Sequence, residues 1–437
     1  MLARRLGPFD ATMIVMGGII GAGIFRNPSV VAQEVSAPAL ILGVWAVGGL
    51  IAIAGAFVYA ELAALRPAVG GQYAYLRDAY HPIVAFLYGW TLLLVVQSGG
   101  MAAVAMTFGD YLRELTSPTV PAAVYAVAAI ATLTIVNCFG VRAGSNVQNT
   151  FMVLKIVALV SLVTIGWLAL RSPSVDTVAT APARNSLPAA LAAMVPVLFA
   201  YGGWQTASFI SGELRDPRRD LPRGLVFGVL GVVALYLAVN VVCLYTLGSD
   251  GLAGTNTPAS EVMRRALGPV GARLIAAGIA ISTLGFLSQG MLTAPRVYYA
   301  MARDGVFFRG VGWLDPRTQA PTVAIVLQGS LAALIALSGG YGAILNYVVA
   351  IDTLFFGLTG AALLVFRRRT RGTPDPGAII RTPGHPVTTT LFVAAFFIIA
   401  VSTVVQFPQS AGIGVLILLA GVPVYLLWRR RPPRPDQ

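Results

Sequence analysis

The sequence predicts an all-α integral membrane protein with twelve membrane-spanning helices, and two observations carry this prediction. Hydrophobic residues make up 57% of the chain and charged residues only 11%, whereas a soluble domain carries about 25% charged residues. The hydrophobic residues also fall in long blocks of about 20, the length at which a helix crosses about 30 Å of hydrocarbon. The net charge of +13 does not indicate nucleic-acid binding, because the basic residues lie in short gaps between the blocks.

Spans 1 to 12 are predicted from these blocks, and an even number of spans puts both termini on one side of the membrane. Six arginines lie on the side of the odd-numbered gaps, whereas 22 lie on the side of the even-numbered gaps and the two tails, when Arg273 and Arg223 in the first turns of spans 8 and 7 are counted with the gaps before them. The positive-inside rule therefore predicts a multi-pass protein of the cell (inner) membrane with both termini in the cytoplasm. The predicted spans are 9–32, 38–65, 83–109, 119–139, 146–170, 188–211, 223–247, 270–294, 321–339, 343–366, 387–406 and 410–428.

Glycine clusters interrupt the first and the sixth span, which read "MIVMGGIIGAGIFRNP" and "MVPVLFAYGGWQTASF". Because glycine costs a helix about 1 kcal/mol relative to alanine, each cluster predicts an unwound turn inside the membrane. Close helix packing is the alternative for either cluster taken alone. Together the clusters open two groups of five spans, and since five is odd, the second group runs inverted. Broken helices in matching places of inverted halves indicate the binding site of a transporter.

This repeat divides the chain into residues 1–170 with spans 1–5, residues 171–367 with spans 6–10, and residues 368–437 with spans 11–12 and a basic cytoplasmic tail. An unwound turn offers N–H donors to a carboxylate where the second half-helix begins, and carbonyl acceptors to an ammonium where the first half ends. Residues 18–23 and 198–205 contain no charged side chain. A small zwitterion such as an amino acid is therefore the predicted ligand.

Three stretches resemble the amino acid–polyamine–organocation superfamily, and within it the L-type amino acid transporter-like branch. They read "GGIIGAGIF", "FAYGGWQTASFISGELRDPRRDLPRG" and "APRVYYAMARDG". The resemblance covers essentially the whole chain, and it implies the LeuT-type 5+5 inverted repeat with discontinuous helices 1 and 6. It also implies that the protein is not an enzyme.

The resemblance assigns substrate contacts residue by residue. The family's G-S-G turn falls on Gly21-Ala22-Gly23, where backbone amides hold the substrate carboxylate and alanine replaces the usual serine. Phe199 matches the aromatic residue that closes over the substrate, and Trp204 matches a position beside the pocket. The remaining implied contacts, mainly backbone carbonyls facing the substrate ammonium, are Ile19, Ile20, Ala200, Tyr201 and Gly202.

Lys155 is the only lysine of the chain and lies inside the apolar stretch "NTFMVLKIVALV". The simplest interpretation is that the Lys155 side chain snorkels to the lipid headgroups. A position about 13 Å inside span 5 exceeds the reach of that side chain, however. A cation at that depth needs carbonyls or an anion around it. In sodium-independent relatives a span 5 lysine occupies the place of a sodium ion. The resemblance gives Lys155 this role, with Gly17 and either Ser282 or Thr283 as partners.

Other charged residues are predicted to form a helix cap, ion pairs or gate contacts, or a solvated loop. Asp10 is predicted to cap the start of span 1, and Glu61 and Arg66 to form an ion pair or gate contact at the cytoplasmic end of span 2. The run "ELRDPRRDLPR" after span 6 is predicted to be a solvated cytoplasmic face or part of an interior gate.

The sequence as a whole predicts sodium-independent transport of small or neutral L-amino acids by alternating access, as an exchanger or a proton-coupled symporter. Transport of cationic amino acids or polyamines is the alternative, and an amino-acid-responsive receptor or channel is the alternative of another class. No cofactor or metal is expected, because neither Cys138 nor Cys243 belongs to a ligand cluster. The loop "RELTSPTVPA" after span 3 has no cysteine, which argues against a disulfide-linked heavy subunit.

Overall fold

The computed structural model describes residues 2–116, 119–169, 186–338, 341–369, 380–406 and 408–429. This part of the chain is helical, and its only β pairing is an isolated bridge between Leu6 and Leu214. The helices are α1 (Pro8–Ile19), α2 (Gly23–Glu34), α3 (Pro38–Leu65), α4 (Gln72–Ala79), α5 (Pro82–Thr91), α6 (Ser98–Leu115), α7 (Ala122–Cys138), α8 (Val141–Ala169), α9 (Leu187–Tyr201), α10 (Pro217–Ala253), α11 (Pro258–Thr293), α12 (Pro295–Arg303), α13 (Thr322–Leu337), α14 (Tyr341–Arg369), α15 (Val387–Gln406) and α16 (Pro408–Arg429).

Eight helical segments of the described residues are long and apolar enough to cross a membrane, and the count is nine if the bent pair α1 and α2 forms one span. The shorter helices α7 and α13 are also apolar. These helices occupy the predicted spans, so the prediction of an all-α membrane protein is confirmed, while the number twelve stays a prediction. The short helices α4 and α12 were not foreseen.

Two kinks lie close to predicted span ends. Gly248 has a φ of 71° inside α10, and Gly268 has a φ of 65° inside α11. L-residues with a side chain rarely adopt such values, so glycine is the residue that allows each kink. Span 7 was predicted to end at residue 247 and span 8 to begin at residue 270.

The first span is broken where the glycine cluster predicts it. α1 ends at Ile19, the backbone of Ile20 is extended with ψ 94°, and α2 begins at Gly23. The two half-helices meet at an angle of 40°. α1 packs against α8, α10 and α11, so protein borders the break, as unwound backbone inside a bilayer requires.

The sixth span is broken as well. α9 ends at Tyr201, and Gly203 has a left-handed backbone with φ 103°. The chain then forms a ten-residue 3-10 helix, Trp204–Glu213, although such helices rarely exceed 3–4 residues. A second irregular segment lies in the third span, where a π-helix, Leu92–Gln97, joins α5 to α6. Irregular helical turns of these two kinds are frequent at functional sites.

Candidate functional site

The two breaks meet backbone to backbone. A Cβ atom on Gly18 would lie 2.5 Å from the carbonyl oxygen of Gly203, and one on Gly203 would lie 2.0 Å from that of Gly18. Both distances are shorter than any real Cβ contact, so only glycine allows this approach. The fold therefore brings together the two glycine clusters that the sequence singles out.

The turn between α1 and α2 is partly accessible. Ala22 and Gly23 are half-buried, and a helix leaves its first N–H groups without acceptors in the preceding turn. Gly21 lies against the ring of Phe286 from α11, where a Cβ would come within 3.3 Å of the ring edge. The arrangement can therefore present backbone donors to an anion, as predicted for the substrate carboxylate.

The carbonyl groups before the turn already have protein donors. The hydroxyl of Tyr236 on α10 donates to the carbonyl oxygen of Ile19 at 3.0 Å, and the ammonium of Lys155 donates to that of Ile20 at 2.5 Å. These carbonyls were predicted to face the substrate ammonium. Because a carbonyl oxygen has two lone pairs, a substrate would share these acceptors with the protein.

Lys155 lies at the midpoint of α8 and is fully buried. Its ammonium nitrogen is 3.4 Å from the carbonyl oxygen of Gly17, the partner that the resemblance implies. Gly285 of α11 makes room for the side chain, since a Cβ there would lie 2.5 Å from Cε and 3.1 Å from Nζ of Lys155. The ammonium is therefore satisfied by α1 carbonyls rather than by headgroups, and snorkelling is excluded.

The expected hydroxyl contact from α11 is not formed in this structure. Thr283 donates to the carbonyl oxygen of Ala280 in its own helix, at 2.7 Å. The hydroxyl of Ser282 is buried and has no hydrogen-bond partner among the described residues. Of the implied partners of Lys155, the carbonyl of Gly17 therefore contacts the ammonium, whereas the hydroxyls of Ser282 and Thr283 do not bond to it.

The predicted residues of span 6 lie on different sides of their helix. Phe199 is 43% exposed, whereas Ala200 and Tyr201 are buried. Gly23 packs against Ala200, since a Cβ added to Gly23 would lie 3.4 Å from both Cα and Cβ of Ala200. Gly202 closes α9 by donating to the carbonyl oxygen of Phe199. This end of α9 therefore forms one wall beside the turn of span 1.

Trp204 is buried in an aromatic cluster on the far side of span 6. Its ring lies 4.7 Å from Tyr59 of α3, 5.3 Å from Phe356 of α14 and 6.4 Å from Phe392 of α15, measured between centroids. This packing anchors the start of the 3-10 helix. The ring contacts of Trp204 are therefore with α3, α14 and α15.

The layer on the N-terminal side of the breaks is closed. Glu213 and Arg296 form a two-pronged ion pair of 2.9 and 3.0 Å, with both side chains at most 1% exposed. The N-terminal segment also pairs with the end of span 6, because the amide of Leu6 donates to Glu213 and its carbonyl accepts from Arg215. Glu213 is therefore buried in an ion pair, so the loop run is not solvated along its whole length.

The remaining charges form a helix cap and ion pairs. Asp10 caps α1 by accepting from the amide of Gly7 at 2.9 Å, as predicted. Glu61 pairs with Arg367 of α14 at 2.6 and 2.8 Å. Arg66 lies 3.8 Å from a different partner, Asp78, so Glu61 and Arg66 do not pair with each other. In the described part of the chain, no cluster of histidine, cysteine and carboxylate side chains has a geometry for a metal ion.

Three residues at this site were missed by sequence reasoning: Tyr236, Gly285 and Phe286. Tyr236 lies in the ordinary apolar run "GVVALYLAVN" of span 7, and Gly285 and Phe286 lie in the run "ISTLGFLSQG" of span 8. Tyrosine, glycine and phenylalanine are common in membrane helices for packing reasons alone. A single sequence therefore carries no signal that separates these three from their neighbours.

Two helices broken at the same depth, meeting beside a buried lysine, define a carrier of small solutes in a membrane. A family profile described as amino acid permease matches residues 6–427. The chain therefore belongs to the amino acid permease family, and it transports amino acids rather than acting as an enzyme.

Individual relatives match over nearly the whole chain. The human large neutral amino acids transporter small subunit 2 is 30% identical, covering 99% of this chain and 82% of the relative. The mouse b(0,+)-type amino acid transporter 1 is 29% identical, with 99% and 91% covered. The mouse Asc-type amino acid transporter 1 is 28% identical, with 99% and 83% covered.

Proposed function

We propose that the protein carries small or neutral L-amino acids across the cell membrane by alternating access, without sodium. The observation that carries this proposal is the buried ammonium of Lys155, bound to the carbonyl oxygens of Gly17 and Ile20 next to the broken turn. The Lys155 ammonium supplies the positive charge next to the broken turn, so no sodium ion has to bind there from solution.

Recognition of the substrate is mainly by backbone groups. The amides of Gly21 to Gly23 take the carboxylate, and the carbonyls of Ile19, Ile20 and Phe199 to Gly202 face the ammonium. The half-exposed Phe199 closes over the bound amino acid, and Phe286 contributes to side-chain selectivity. A relative named for large neutral amino acids supports the neutral class.

The transport cycle uses the two broken spans as moving parts. Spans 1–5 and 6–10 form inverted halves of a twelve-span bundle, and both termini lie in the cytoplasm. In this proposal the buried ion pair between Glu213 and Arg296 closes the cytoplasmic side. Lys155 suits one-for-one exchange if it stays charged, and proton coupling if it releases its proton during the cycle.

The protein works without a disulfide-linked heavy subunit in this proposal. The two cysteines of the chain lie inside helices, Cys138 at the end of α7 and Cys243 buried in α10. A carrier of cationic amino acids or polyamines remains the second candidate. It is less favoured because residues 18–23 and 198–205, which form the two breaks, contain no carboxylate side chain.

Uptake of a panel of radiolabelled amino acids into proteoliposomes tests the proposal. The panel is run with and without internal amino acid, a sodium gradient and a pH gradient. We expect neutral amino acids to accumulate equally in sodium and in choline buffer. Failure to transport any neutral amino acid overturns the substrate class, and strict sodium dependence overturns the role of Lys155.

A further inference from the structure

Arg26 is a second cation inside the membrane-spanning region, and the transport site described above does not use it. It lies in α2, one turn beyond the broken segment. Eight residues separate it from the end of α2 at Glu34, which at 1.5 Å per residue is about 12 Å. An arginine side chain extends about 7 Å, too short to place its charge at that end of the helix.

The neighbours of Arg26 on α2 are buried, but Arg26 itself is exposed. Ile24 and Phe25 are at most 3% accessible, and Asn27 and Ser29 are buried as well. Within the ranges that the structure describes, no carboxylate lies within 4 Å of the guanidinium. An unpaired charge at this depth is costly in lipid, and such residues face a water-filled cavity or the interior of the bundle.

Arg26 lies on the same face of α2 as the accessible part of the substrate turn. Residues three and four apart share a helical face, and Ala22 and Gly23, four and three residues before Arg26, are half-buried. Phe199 on the adjoining α9 is 43% exposed. Asn27 ties α2 to α9 by donating to the carbonyl oxygen of Pro196 at 2.7 Å. Arg26 therefore lies on the accessible side of the turn, beside the exposed Phe199.

We propose that Arg26 forms an outer binding site for the carboxylate of an arriving amino acid and selects against cationic side chains. A guanidinium binds a carboxylate through two parallel hydrogen bonds. The inference rests on the proposed function, because it takes the exposed side of the breaks as the entrance for the substrate.

The charge balance of the entrance supports this selectivity. Lys155 already places one positive charge beside the turn, and Arg26 adds a second. The turn and α2 carry one carboxylate, Glu34, at the far end of the helix. A substrate with a cationic side chain meets two like charges, whereas a zwitterion brings a carboxylate to a positive entrance.

Competition measurements on the Arg26→Gln variant test the selectivity. Inhibition of labelled leucine uptake is measured with lysine and with unlabelled leucine. The quantity compared is the inhibition constant of lysine divided by that of leucine. We expect that ratio to fall about tenfold in Arg26→Gln, which is the size of a like-charge repulsion across a partly solvated entrance. Arg26→Lys keeps the charge and should keep the ratio, as should Arg273→Gln, which removes an exposed charge from α11. An unchanged ratio in a transport-competent Arg26→Gln protein overturns the proposal.

Cysteine accessibility tests the position of Arg26 even where a variant does not transport. Arg26→Cys is made in a Cys138→Ala, Cys243→Ala background and treated in proteoliposomes with a permanently charged, membrane-impermeant methanethiosulfonate reagent. We expect labelling that saturating leucine slows, and none of Val157→Cys, an apolar exposed position of α8. Failure to label Arg26→Cys places the residue in lipid or in packed protein and refutes the outer binding site. If wild-type protein does not move leucine, the proposed function fails, and the labelling of Arg26→Cys without leucine still decides where the residue lies.

Discussion

The ammonium nitrogen of Lys155 lies 2.5 Å from the carbonyl oxygen of Ile20 and 3.4 Å from that of Gly17, so one side chain of α8 holds both ends of the last turn of α1. The break leaves these carbonyls without the helical amides that would otherwise pair with them. A single buried cation therefore stabilises the irregular backbone of the proposed binding site. Its removal would leave buried polar groups unpaired.

Substitution of Lys155 by alanine should reduce amino acid uptake at least tenfold, because the turn loses the donor that fixes its carbonyls. Uptake is measured in proteoliposomes at matched protein content. Lys155→Arg serves as the control for charge, and we expect it to be impaired too, since the larger guanidinium does not fit against Gly285. Wild-type uptake by Lys155→Ala would contradict the role given to the lysine.

Gly285→Ala should weaken transport by displacing Lys155. The added methyl group would lie 2.5 Å from Cε of the lysine, so the side chain must move away from the α1 carbonyls. Gly43→Ala on α3 is the matched control, because nothing lies within 4 Å of a Cβ there. Initial uptake rates of the two variants should differ severalfold, and equal rates would show that Lys155 has room to adjust.

Adjacent glycines at the second break should differ sharply in their tolerance of alanine. At Gly203 a Cβ would clash with the Gly18 carbonyl at 2.0 Å, and its φ of 103° is strained for any other residue. At Gly202 the contacts would be an ordinary 3.4 Å. We expect Gly203→Ala to lower the melting temperature in detergent by several degrees and Gly202→Ala to change it little. Equal melting temperatures would show that the breaks do not touch as described.

Breaking the buried pair of Glu213 and Arg296 should destabilise the protein strongly. Glu213→Gln leaves a fully buried guanidinium without its counter-charge, which costs about 3–5 kcal/mol in comparable pairs. The double variant Glu213→Gln, Arg296→Met removes both charges and should recover much of the loss. Thermal unfolding in detergent measures this, and a double variant no more stable than Glu213→Gln would argue against direct coupling.

Acidification should destabilise the loop before α15 through His385. Burial and the nearby positive charge of Arg367 lower the pKa of His385 below its ordinary value of 6.5. A lowered pKa in the folded state favours the neutral form, so its stabilising contribution is present above pH 6.5 and is lost as the pH falls through the lowered pKa. His385→Gln should flatten the fall in melting temperature between pH 7 and 5, with His81→Gln as the control. An identical fall in wild type and His385→Gln would exclude this histidine as the cause.

The sequence could predict those parts of the fold that depend on composition and on the positions of glycine. Apolar blocks located the helices, and the clusters at Gly17–Gly23 and Gly202–Gly203 located both breaks to within a residue or two, because a break needs residues that weaken a helix. The lone lysine was equally visible, since a charge in an apolar block is costly enough to require a reason.

Other features depend on which helices become neighbours, and a single sequence does not contain that information. The bonds from Tyr236 to Ile19 and from Arg296 to Glu213 each join segments more than 80 residues apart. Glu61 and Arg66 were expected to make an ion pair or gate contact near the end of span 2, and their actual partners, Arg367 and Asp78, lie elsewhere in the chain. Spacing along the sequence suggests that charged residues form ion pairs, but tertiary packing determines which partners they find.

The 3-10 helix of span 6 is longer than an α-helix of the same residues would be. Its ten residues extend about 20 Å at 2.0 Å per residue, whereas the same residues wound as an α-helix extend about 15 Å. Rewinding alone would draw Leu214, and with it the bridged Leu6, about 5 Å towards the centre of the bundle without bending any hinge. The length of one helix is thereby coupled to the position of the chain's own N-terminal segment.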